Sequence, residues 1–174
     1  MVIELLKERW TQWAAIVTTI LAVSAAISSL KGGGYSTKVQ LLTTQQTNAW
    51  SYFQSKSTKQ HISETQRDLL ELQLSMAKSP AERKLITAVL GKFQSDIQRY
   101  NQEKNEIKAT AEQLGKDTDA FKKHSGQFGL AVMLLQIAIM LNSVGVFIKK
   151  QFMWLVGIGF GALGLFYMVM GFLA

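Results

Sequence analysis

The sequence has no cysteine, which excludes disulfides, thiolate metal ligands and thiol nucleophiles. The same absence suits any compartment and leaves the redox setting open. Proline occurs once, at Pro80, so little in the chain forces a helix to stop. There are two histidines, His61 and His124, and neither lies near carboxylates at ligand spacing, so no metal site is expected. A serine-nucleophile motif, a phosphate loop after a strand and a pair of acids in an evident pocket are missing too. The expectation is therefore a non-enzyme, with no catalytic residue and no cofactor.

Charge is missing from three long stretches: residues 10–30, 128–148 and 151–174. Each can cross a hydrocarbon layer of about 30 Å as a helix rising about 1.5 Å per residue. The segment between the first two, residues 31–125, holds fifteen Lys/Arg against ten Asp/Glu and supplies most of the net charge of +7. That mild excess is spread along the segment, so nucleic acid is a poor partner; attraction to membrane lipids is the better expectation. The pattern predicts an all-α integral membrane protein with three transmembrane helices. A long antiparallel, coiled-coil-like helical hairpin lies between the first and the second.

The expected organisation follows along the chain. Residues 1–9 form a cytoplasmic N-terminus, and residues 10–30 the first span. Val23-Ser24-Ala25 resembles a signal-peptide cleavage site, but the apolar run continues through Ile27 and Leu30, which reads as an uncleaved anchor. Trp10 and Trp13 suit one interface, and Tyr35 the other. Residues 31–35, with Gly32-Gly33-Gly34, predict a helix break. Residues 36–125 are the soluble hairpin, turning at 79–80, where Ser79-Pro80-Ala81-Glu82 reads as a capping box with proline in the first helical position. The second span is 126–148, the short basic turn 149–151 and the third span 152–174.

The hairpin's second helix shows a heptad. Ile86, Phe93, Tyr100, Ile107, Leu114 and Phe121 recur every seven residues, and Phe128 continues the series. The helix before the turn has a weaker stripe, almost wholly polar over residues 54–68, and needs a partner. A turn near Ser79 and Pro80 puts Phe53 near Ile107, Leu42 near Asp117 and Leu70 near Val89. Trp50, Tyr52 and Phe53 form an aromatic cluster, read as packing against Ile107 or as a partner-binding patch.

In the third span, Gly157, Gly161, Gly164 and Gly171 share one face. They allow close helix packing, within the chain against the second span or between protomers. In the second span, Gln136, Asn142 and Ser143 are polar; Gln136 and Ser143 share a face with Asn142 beside it. They read as interhelical hydrogen-bonding groups or as the lining of a polar path. The spans hold no deep charge, which argues against a proton relay.

Residues 8–13 (ERWTQW), residues 48–57 (NAWSYFQSKS) and residues 128–139 resemble a bacterial family defined as a domain of unknown function, DUF4337. The resemblance covers nearly the whole chain. It implies an inner-membrane protein and carries no activity, cofactor or catalytic residue. Lys7, Arg9, Lys149 and Lys150 favour a cytoplasmic N-terminus, with the hairpin and C-terminus periplasmic. The leading expectation is an inner-membrane scaffold or accessory subunit. It would form a homo-oligomer or join other membrane subunits through its hairpin and glycine-rich third span. A homo-oligomeric channel lined by Gln136, Asn142 and Ser143 is the rival, and a sensor or chaperone for periplasmic proteins a third class.

Overall fold

The computed structural model describes the backbone of residues 2–173 and the side chains of residues 10–173. The side chains of the expected N-terminal segment 1–9, Lys7 and Arg9 included, lie outside the described residues. Three helices make up almost all of what is described: α1 (Val2–Met76), α2 (Pro80–Phe147) and α3 (Gln151–Leu173). The described residues include no strand. Each helix contains a stretch long and apolar enough to cross a membrane.

The expected break at 31–35 does not occur: α1 runs through all three glycines without interruption. Glycine costs a helix about 1 kcal/mol per position relative to alanine, a cost that does not stop α1 here. Gly32 also has a packing use. A methyl group there would sit 3.0 Å from Cβ of Phe128, so the missing side chain lets α1 and α2 approach closely.

The chain divides into two units. The first combines residues 1–40 and 118–174. Its core combines Leu21, Ala25, Leu135 and Ala138, with Val17, Ile139, Phe160 and Leu165 packed against them. Ser28, Phe128, Ala131 and Asn142 are fully buried beside that core. Outward-facing positions carry large apolar groups, among them Ile16, Ile20, Leu30, Met140, Phe147 and Phe152.

The turn between α2 and α3 is a Schellman motif. The Lys150 amide donates to the Gly145 carbonyl at 3.0 Å, and the Lys149 amide to Val146 at 3.2 Å. Lys149 takes the left-handed conformation, φ 55°, that glycine usually fills. Gly145 is needed because a side chain there would press on the Trp154 amide, 3.1 Å away, and on Cβ of Met153.

The second unit is residues 41–117. Its half-buried and buried positions on α1 include Leu42, Gln46, Ala49, Phe53, Lys56, Gln60, Ser63, Arg67, Leu70 and Leu74, a heptad alternation of threes and fours that Ala77 continues just past the helix. On α2 they include Ile86, Leu90, Phe93, Ile97, Tyr100, Lys104, Ile107, Ala111 and Leu114, the same alternation. Contacts join the two stripes in opposite chain directions: Lys56 meets Glu103, Lys104 meets Gln60, and Gln46 lies against Gly115. These pairs agree with the register expected from Phe53 and Ile107. The capping sequence ends one helix and starts the next, and the Arg83 amide donates to the Ser79 carbonyl at 3.1 Å.

Candidate functional site

Four of the five glycines of α3, Gly157, Gly161, Gly164 and Gly171, are the buried residues of that helix. Each leaves room for a specific neighbour in the same chain. A Cβ on Gly157 would collide with the Asn142 side chain, and one on Gly161 would lie 3.0 Å from a Leu21 methyl. At Gly164 it would lie 2.8 Å from Cγ of Leu135, and at Gly171 3.1 Å from the Phe128 ring. The stripe is thus occupied by the chain's own α1 and α2.

The polar residues Gln136, Asn142 and Ser143 of α2 do not share one environment. Asn142 is fully buried against Gly157, while Gln136 and Ser143 are exposed. The Asn142 carboxamide has no hydrogen-bond partner at either end. The Ser143 hydroxyl donates to the Ile139 carbonyl of its own helix at 2.9 Å. The seven-residue series of α2 explains the split. From Phe121 it runs on through Phe128 and Leu135 to Asn142, so Asn142 occupies a seam position and its two companions do not. That extension was legible in the sequence.

Around residues 31–38, 121–128 and 171–172 the first unit carries aromatic and basic side chains. Tyr35 stacks on His124 at 4.9 Å between centroids and on Phe128 at 5.8 Å. A His124 ring nitrogen, Nδ1, hydrogen-bonds the Gly171 carbonyl at 3.0 Å. The Lys38 ammonium lies 4.4 Å from the centre of the Phe121 ring. Phe121 therefore serves this cluster, while the other expected seam residues, Ile86, Phe93, Tyr100, Ile107 and Leu114, line the second unit. At the opposite sequence ends of the spans, Trp10 packs on Trp154 at 6.2 Å.

In the second unit, sequence reasoning missed a polar layer. The Lys56 ammonium lies 2.6 Å from a Glu103 carboxylate oxygen, and Lys104 donates to the Gln60 side chain at 3.1 Å. Both cations also sit near rings, Lys56 near Tyr52 and Tyr100, and Lys104 near Phe53. Hydrogen bonding to Lys56 holds the Glu103 carboxyl below its ordinary range, and the same bond raises Lys56. Their signal was masked, because the α1 stripe on which Lys56 and Gln60 fall is polar over that stretch. Of the aromatic cluster, Phe53 is half-buried, with Trp50 edge-on to it at 5.6 Å, while Tyr52 stays exposed.

The family model for a domain of unknown function, DUF4337, matches residues 10–174, and the chain belongs to that family. No curated protein and no solved structure matches it.

Proposed function

We propose that this member of the DUF4337 family is a non-enzymatic scaffold or accessory subunit of the bacterial inner membrane. Its first unit inserts as three spans, and residues 41–117 form a coiled-coil-like hairpin in water. The N-terminus and the Lys149-Lys150 turn face the cytoplasm, and the hairpin is periplasmic. The observation that carries insertion is the inside-out side-chain distribution of the first unit. Alanine, glycine and serine make up much of the buried set, together with Trp10, Leu21, Phe128 and Leu135, while many large apolar side chains face out. In water each large side chain left out would forgo about 1.5–3 kcal/mol of burial; in lipid it is at home, and small residues are what let spans pack.

Association is supported by the apolar side of α1 turned away from α2. Ile62, Leu69 and Met76 recur at seven, with Leu72 between, and all are exposed. Such a stripe is the seam a further helix would cover, from another copy or another subunit. The rival channel has weaker support, because Asn142 is enclosed within the chain. Alkaline carbonate extraction of membranes tests insertion: the protein stays in the pellet, and release into the supernatant ends the reading. Mass measurement in nanodiscs tests association, which a lone monomer without co-purifying protein would end.

A further inference from the structure

Within the first unit, α1 presents two outward stripes that differ in kind. Ile16, Ile20, Val23, Ile27 and Leu30 recur at alternating fours and threes, and all are large and exposed. One residue earlier at each step run Ala15, Thr19, Ala22, Ala26 and Ser29, continued by Gly33. They keep the same alternation, all are exposed, and none is larger than threonine. The Thr19 hydroxyl donates back to the Ala15 carbonyl at 3.0 Å, so it adds no free polar group to the stripe. Large outward groups suit acyl chains, whereas an unbroken small stripe lets a second helix backbone approach closely. Its alternation of fours and threes is the period of paired helices.

The stripe forms one wall of an open groove of about 330 Å³ between α1 and α2. Ser29 and Gly33 line it from α1, Gly129 and Val132 from α2. A Cβ on Gly33 or Gly129 would meet nothing within 4 Å, so no contact inside the chain accounts for either glycine. Ser28 lines the same groove, is fully buried, and has a hydroxyl without a partner, a costly state that a neighbouring polar group would relieve. Gln136 lies seven residues beyond Gly129 on the same face of α2 and is exposed within an apolar stretch. Amides in lipid hydrogen-bond across helices.

We infer that the small stripe and its groove are the contact between two copies of this chain within the membrane. A two-fold axis along the membrane normal lays α1 of each copy in the groove of the other, at equal depth. The stripe of one copy then meets Gly33 and Gly129 of the other, its Ser29 arrives level with Ser28, and Gln136 faces a helix instead of lipid. An acyl chain would fill the groove but give neither Ser28 nor Gln136 a partner. An unrelated helix would have to match small positions over residues 15–33, and a second α1 brings them at the same depths. The inference deepens the proposed self-association and rests on membrane insertion.

The chain has no cysteine, so a single introduced cysteine reports contact between copies without background. Full-length protein carrying one cysteine is oxidised in its own membranes, and the disulfide-linked dimer is quantified. The bond needs Cα atoms within about 7 Å of each other. Ala22→Cys and Ala26→Cys form the dimer, while Val23→Cys and Ile27→Cys, each one residue along, form about tenfold less. Gly33→Leu or Gly129→Leu, combined with Ala26→Cys, fills the groove with no Cβ collision and lowers the linked fraction about tenfold. Gly159→Leu, at an open position of α3, leaves it unchanged. Equal linking from both stripes, no linking from the small one, or full linking in either leucine variant overturns the assignment. Carbonate extraction of the same membranes separates the two ways of failing. Unlinked protein that stays in the pellet refutes this contact alone, and release into the supernatant removes insertion with it.

Discussion

At the scale of single residues, Asn142 is the position where composition and environment disagree most. A carboxamide buried with neither end hydrogen-bonded is destabilising. It fits because Gly157 has no side chain in the space that the Asn142 oxygen occupies. The two positions are therefore coupled, and a double-mutant cycle will show it. Gly157→Ala alone should cost about 1–3 kcal/mol by overpacking. Asn142→Ala alone should be near neutral, because a small void replaces an unpartnered amide. The double variant should recover most of the Gly157→Ala loss, leaving the cost of the Ala138 carbonyl, 3.1 Å from the new methyl. Thermal unfolding in detergent, followed by helical circular dichroism, reads all three. Strict additivity would mean that the contact does not carry the effect.

At the scale of elements, the three glycines of α1 separate packing from propensity. Gly33→Ala and Gly34→Ala add methyls to open space, so each should stabilise the helix by up to about 1 kcal/mol. Gly32→Ala meets Phe128 and should destabilise, the opposite sign one residue away. Stabilisation by all three in the same unfolding measurement would remove the proposed contact with α2. This run also shows where sequence reading stopped. Propensity counts a local cost, and it was overridden by neighbours distant in the chain, which no local pattern displays. The heptad of α2, by contrast, was legible from Ile86 to Phe121 because apolar groups fill it. The stripe of α1 was not, because Lys56, Gln60, Ser63 and Arg67 occupy its middle. Those polar seam residues make the second unit sensitive to pH. Glu103 titrates below the ordinary glutamate value of 4.5 in the folded chain, held down chiefly by its hydrogen bond with Lys56. Its contribution is thus present above that value and is lost as pH falls through the lowered folded value. Lys56 is raised above 10.5, so its contribution is present below that value and fades as pH rises through the raised one. Melting temperature should therefore fall at both extremes, and Glu103→Gln should lack the acid-side fall attributable to this pair. An unchanged acid limb in that variant would place the sensitivity elsewhere.

At the scale of the whole molecule, the question is what satisfies the surfaces that one chain leaves open. The buried glycine face of α3 packs against α1 and α2 of the same chain. Exposed large apolar groups of the second unit include the side of α1 bearing Ile62, Leu69, Leu72 and Met76, together with Leu85 early in α2. None of the four on α1 belongs to the stripe that meets α2, so charges can be placed there without undoing the internal seam. Leu69→Asp with Leu72→Asp should leave the helix content unchanged, measured by circular dichroism. If another helix covers this side, each leucine contributes about 1.5–3 kcal/mol to its burial, so dissociation should strengthen at least tenfold per position. Mass in nanodiscs, taken over a dilution series, reads that shift directly. A variant with wild-type mass at every dilution would show that the stripe faces water in the working protein. Association would then have to come through the membrane surface, where Gln136 is the exposed group with most to gain from a partner.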